Sequence, residues 1–454
     1  MLAFVRNRAT NILPLILGLF FKISGTSSRV VLMLSNAGVC VSSRTVERLK
    51  VHITEDAIQL AVQLITSGRV FFTIFDNINI FLRKSQQRLS NTNDMINATN
   101  CAVVGVEDVE PFTEADLAEQ LALRGRRANA SPTDILPTPT DDEIVGKTFV
   151  ALISEMIVAF TPGNSGWTDR KNIAEAVADM MPKDCPLPST ASDARPMERL
   201  EYVQELSAPF HFALQASHML MRTHYGHAVE DPGSLAAHKG LLNRKWDVSK
   251  PNYAAAKSLI RHSLIARILH CAIALAISTD FATATAAQKA QAAGDDWMAH
   301  SIYFIRDSLF FCMFEKAVSF SDPGQLIRVL KYWGLAFRGV GQHNYTRECA
   351  AVLVQWKYEL PDKLRRALER SWFVNRWGII GCSIASDLYL EQLNFWVKRV
   401  FIASGSGVTV DYIICKGSAC LEAFRDITHM VAIFLVTLTM RGDRKRSNST
   451  KISR

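Results

Sequence analysis

Ten residues, Val70-Phe71-Phe72-Thr73-Ile74-Phe75-Asp76-Asn77-Ile78-Asn79, constrain the fold more than any other stretch of the chain. Six of them, aromatic, aliphatic or β-branched, run straight into an aspartate. A run so dense in Phe and Ile fits a strand buried on both faces better than a helix. Asp76 at its end needs a physical reason, because a carboxylate near a core is costly unless paired, hydrogen-bonded or bound to a metal. Two roles are open to it. Asp76-Asn77 starts a turn and caps backbone amides, or Asp76 is the first metal-binding carboxylate of a ribonuclease-H-like core.

The chain of 454 residues is long enough for two or three domains, and 48% hydrophobic against 21% charged residues marks it as globular. Its 51 Lys and Arg against 43 Asp and Glu leave a net charge of +8, which permits a nucleic-acid partner without demanding one. The nine cysteines are scattered, with no C-x-x-C pair. That pattern speaks for reduced thiols in a nuclear or cytoplasmic protein and against a zinc finger or disulfide framework. The apolar runs Ile12–Ile23 and Met430–Met440 are too short to span a bilayer, so no membrane partner is expected.

Residues 1–66 read as helical, with Pro14 as an irregularity. Within them Ser28 to Lys50 has the cadence of a helix-turn-helix. A first helix ends at Gly38. Ser42 or Ser43 then caps a second, with Glu47 placed for a capping-box contact. Arg44, Arg48 and Lys50 are left to reach DNA, although a helix pair with a glycine turn is also an ordinary packing unit. Asp56–Thr66 reads as a further helix. The Val70 strand pairs with residues 97–106 as a hairpin. Arg83, Lys84 and Arg88 near its tip form a solvated loop or a phosphate-tracking one.

Three divisions follow the N-terminal region: a strand-containing core at 67–206 with a Pro-rich insertion or linker at Ser131–Thr140, a large helical domain at 207–429, and an apolar end with a basic tail at 430–454. The fold class is α+β, predominantly α-helical, with a small, degenerate ribonuclease-H-like sheet near Val70–Val106. In the helical domain His224, His227 and Glu230 have metal-ligand spacing, but no further close ligand completes a site. Asp295 suits a helix start. Asp387, Glu391, Asn394 and Lys398, at i, i+4, i+7 and i+11, share one helix face. They form a solvent face or carry the last carboxylate of a metal site.

Three runs carry a family resemblance: Ile74 to Lys84, His224 to Pro232, and Asp387 to Lys398. They resemble a multicopy family of unknown function in mushroom-forming (basidiomycete) fungi. The multicopy character and layout of that family are similar to those of transposon-derived proteins. The resemblance implies a ribonuclease-H-like transposase ancestry, in which Asp76, a second Asp and Glu391, with Asp387 nearby, hold Mg2+. Such chemistry needs at least three convergent carboxylates around two ions about 3.5–4 Å apart.

One departure matters. The family pattern has a strand with a Gly-Asp-Trp-like signature before the His211 helix. Here Asp193-Ala194-Arg195-Pro196 passes directly into Met197-Glu198-Arg199-Leu200. The expected segment between Pro196 and Met197 is missing, and a metal ligand with it. The resemblance therefore implies a DNA-binding protein without a full catalytic set. The alternative is a non-enzymatic helical scaffold or protein-interaction domain in which Asp76 and Glu391 never meet.

Overall fold

The computed structural model describes residues 12–82, 94–160, 204, 206–247, 252–275, 284–376, 378–403 and 409–431. Arg83, Lys84, Arg88, the Pro196–Met197 junction and the basic tail lie outside them. The protein is α+β and predominantly α-helical. The chain forms two compact units, Met1–Pro111 with Leu388–Arg454, and Phe112–Asp387. These boundaries differ from divisions at 66, 206 and 429. The hairpin needs an apolar cover, and the last part of the chain supplies it.

In the first unit, α1 (Ile12–Ile23), α2 (Ser28–Asn36) and α3 (Ser43–Thr66) precede a hairpin of β1 (Phe71–Leu82) and β2 (Asp94–Gly105). Pro14 falls in the first turn of α1, where its missing N–H has no intrahelical acceptor to lose. α3 is one unbroken helix of 24 residues, so Asp56–Thr66 is its second half rather than a separate element.

β1 and β2 pair antiparallel through twelve residues, with Asp76 opposite Asn100 and Ile78 opposite Ala98. β1 is not buried on both faces as its composition suggests. Ile74, Ile78 and Ile80 point into the core, while Phe71, Phe75 and Phe81 are exposed, Phe75 by 71%. The period-2 pattern of a one-sided sheet has prevailed over raw hydrophobicity. The inward isoleucines pack with Leu390, Leu393 and Val397 of α14 (Ser386–Ala403) and with Leu19, Val46 and Phe424. α15 (Val410–Lys416) and a helical stretch at 421–431 complete the unit.

The second unit is helical: α4 (Glu114–Leu123), α5 (Pro139–Phe160), α6 (Pro209–His224), α7 (Leu235–Leu241), α8 (Tyr253–Leu275), α9 (Ala284–Ala292), α10 (Asp296–Phe320), α11 (Pro323–Gly339), α12 (His343–Tyr358) and α13 (Asp362–Ser371). A two-residue ladder, β3 (Phe373–Val374) and β4 (Ile384–Ala385), follows. α10 is buried along much of its length, with Phe304, Phe311 and Phe314 in the core beside Trp333 of α11 and Trp356 of α12. Asp295 caps it by accepting the Met298 N–H at 2.9 Å. Trp356 stacks on Trp372 with centroids 4.5 Å apart.

The Pro-rich stretch is docked rather than free. Residues Pro132–Ile135 form a 3-10 turn, Lys357 donates to Asp134 at 2.7 Å, and Ile135 packs against the core. No helix among the described residues is long and apolar enough to cross a membrane.

Candidate functional site

The helix pair at the N-terminus is built by local signals. Ser27 caps α2 and Ser42 caps α3, each accepting a backbone N–H three residues on. Gly38 takes a φ of +70° between them, a conformation that suits glycine. Val31 of α2 and Val46 of α3 are both fully buried, and Val46 joins the apolar core that holds Leu19 and Val41. Arg44 and Arg48, one turn apart on α3, are exposed.

Lys50 departs from its expected role. It is only 2% exposed, and its Nζ donates to the Tyr412 hydroxyl at 3.1 Å and to Glu47 at 3.5 Å. Its long stem lies in the core, so its ammonium is committed internally. Glu47 makes no capping box either. Both its oxygens accept from Tyr412 Oη at 3.1 Å.

Asp76 sits mid-strand, not in a turn. Its Oδ1 accepts the Asn77 N–H at 2.8 Å, and its Oδ2 accepts from Asn394 Nδ2 at 3.2 Å. Asn394, 1% exposed, also accepts from Asn100 Nδ2 at 2.9 Å. The cross-strand pair Asp76 and Asn100 is thus joined to α14 by one buried amide. Glu391 lies one helical turn before Asn394. Neither Asp387 nor Asn394 is on a solvent face, since both are buried.

Asp387 is spent on structure. Its two oxygens accept the backbone N–H groups of Phe210 (2.9 Å) and His211 (3.1 Å), and His211 Nδ1 lies 2.9 Å away. The N-cap residue of α6 is Ala208, which has no side chain able to cap. Asp387 fills that role from a distant position in the chain.

The histidines do not converge. His224 Nε2 meets Asp307 at 2.9 Å in the interior, and Arg306 donates to the same carboxylate. His227 pairs with Glu230 at 3.7 Å on the surface. Among the described residues no three His, Cys, Asp or Glu side chains form a group able to hold a metal ion. The donor set does not fit a two-ion centre, because such a centre needs three convergent carboxylates and Asp387 is engaged with backbone amides.

Fold and site together define a mostly helical α+β protein with an N-terminal helix pair and a polar clamp between hairpin and helix. The chain belongs to a family of unknown function, DUF6589, which it matches over residues 188–286 and 272–445, more than half its length. No curated protein and no solved structure matches it.

Proposed function

We propose that this protein binds DNA through the α2–α3 pair and descends from a transposase whose ribonuclease-H-like carboxylates have passed to structural duties. The observation that carries the binding is the exposure of Arg44 and Arg48 one turn apart on the second helix of a glycine-turned pair. A guanidinium pair so placed suits contacts to the phosphate backbone or a groove. The net charge of +8 favours the encounter. The descent is supported by Asp76, mid-strand, reaching α14 one turn from Glu391. The loss of cutting is supported by the capping duty of Asp387. A nuclear location and the multicopy fungal lineage belong to the same proposal.

The test is anisotropy of a labelled duplex titrated with the full chain across salt concentrations. Wild type binds. Arg44→Gln with Arg48→Gln weakens binding and lowers the salt slope by about 0.9 for each phosphate no longer neutralised. No binding at low salt overturns the proposal, and Mg2+-dependent cleavage overturns the loss of activity.

A second reading, a helical interaction domain, rests on a different observation. Ile58, Val62 and Ile65 form an exposed apolar stripe on α3 at i, i+4 and i+7. It predicts no duplex affinity.

A further inference from the structure

Three lysines gather on one carboxylate in the first unit. Lys22 from α1, Lys50 from α3 and Lys416 from α15 place Nζ at 3.9, 3.5 and 3.7 Å from the oxygens of Glu47. Tyr412 stands among them. Its hydroxyl donates to Glu47 and accepts from Lys50. Lys50 and Lys416 each lie 5.5 Å from its ring centroid.

The charges do not balance: three ammoniums face one carboxylate. The contacts are also long. Elsewhere in the protein a lysine paired with an aspartate closes to 2.7 Å, as Lys331 does on Asp141 and Lys363 on Asp116. Lys50 finds a hydrogen bond to Tyr412, but among the described residues Lys22 and Lys416 have none. Each ammonium carries three donors, and these two side chains remain 22% and 30% exposed. Like charges held together repel unless an anion offsets them. A single carboxylate offsets one of three.

We propose that Lys22 and Lys416, with Lys50 and Tyr412 behind them, form a seat for a phosphate group, supplied here by a nucleic-acid backbone lying along α3. The source of the phosphate rests on the DNA proposal above; the seat itself rests on the lysine geometry. A phosphate accepts several hydrogen bonds at once and supplies the missing negative charge. Glu47 gathers the lysines before the phosphate arrives. Its helix exposes Arg44 and Arg48 beside it, so one strand of phosphates has successive contacts along α3.

The test uses the full chain and two probes, a labelled duplex and tripolyphosphate. Lys22→Gln with Lys416→Gln is expected to lower the duplex salt slope by about 0.9, the share of the one phosphate the seat holds, and to abolish tripolyphosphate binding. Thermal melting checks that the variant is folded. Glu47→Gln keeps an acceptor for Tyr412 and removes the competing charge, so it tightens both probes. If wild type binds duplex and the double variant keeps its slope, the seat is overturned while the DNA proposal stands. If wild type binds tripolyphosphate but not duplex, and the double variant binds neither, the phosphate seat stands and the DNA source falls. If wild type binds neither probe, both fall. A Glu47→Gln variant that melts lower and binds no tighter marks the cluster as packing alone and overturns the seat.

Discussion

Asp387 holds His211 twice: its Oδ2 accepts the His211 backbone N–H at 3.1 Å and lies 2.9 Å from the ring Nδ1. With the Phe210 N–H on its other oxygen, it closes the open end of α6. An N-cap side chain contributes about 1 kcal/mol, and a buried partner left unsatisfied costs about 1–3 kcal/mol. Asp387→Ala is therefore expected to destabilise the protein by about 2–3 kcal/mol in urea unfolding. Asp387→Asn, which keeps one acceptor oxygen, loses less. Duplex affinity in the folded variants stays at the wild-type value. Unchanged stability in Asp387→Ala would return this carboxylate to a functional role.

The buried Asn394 joins Asp76 to Asn100 inside an otherwise apolar contact between hairpin and helix. Removing it leaves two polar side chains without their partner. Asn394→Ala is expected to cost about 2–4 kcal/mol from the small cavity and the orphaned groups. Asp76→Ala in that background costs less than in wild type, because the two act as one network. Millimolar Mg2+ leaves the wild-type melting temperature unchanged. A rise with Mg2+ that Asp76→Asn removes would establish a metal site at this hairpin.

What was legible in the sequence was mostly local. The hairpin and the Asp295 cap follow from strand alternation, turn residues and capping chemistry close in the chain. Residues whose partners are remote were misjudged. Lys50 and Glu47 look like surface residues of a recognition helix, and nothing near them announces Tyr412, more than 360 positions on. Asp387 carries no local sign of its 176-residue reach to His211. The polar stripe on α14 has the spacing of a solvent face, and only the hairpin packed against it makes Asn394 buried. The inward turn of Lys50 also removes one of the cations the helix pair was expected to offer DNA.

Acid is expected to weaken the protein in two stages. His218 and His238 have their pKa lowered, first by burial and then by Arg222 and Arg267 respectively, with Asp231 partly opposing at His238. Their folded values lie below the unfolded value of about 6.5, so below that pH the unfolded chain binds more protons and stability falls. Asp116 and Asp134 are held at about 2 by hydrogen bonds led by Lys363 and Lys357. Their contribution is present above about 4 and is lost as pH falls toward 2. Melting temperature measured from pH 8 to pH 2.5 should begin to drop below about 6.5 and drop again below about 4. His238→Gln should flatten the first drop, and Lys357→Met should shrink the second. A first drop of wild-type size in a His218→Gln, His238→Gln double variant would show that other groups govern it.

Gly226 and Gly68 separate two costs of a methyl group. Both have positive φ, +62° and +75°. A Cβ at Gly226 would meet Ser234 Cβ at 2.6 Å and Asp231 Oδ2 at 2.9 Å, whereas at Gly68 nothing lies within 4 Å. Alanine in the left-handed region costs about 1–2 kcal/mol by itself, and that is the loss expected for Gly68→Ala. Gly226→Ala adds steric displacement of the loop that Asp231 and Ser234 organise, where the Gly233 N–H donates to Asp231 at 3.0 Å and Ser234 caps α7. Its expected loss is about 2–5 kcal/mol, the same backbone cost plus about 1–3 kcal/mol for overpacking. Chemical denaturation of the two variants side by side measures the difference. Equal losses would mean that the His224–Ser234 loop yields freely, and that its glycine answers only to backbone geometry.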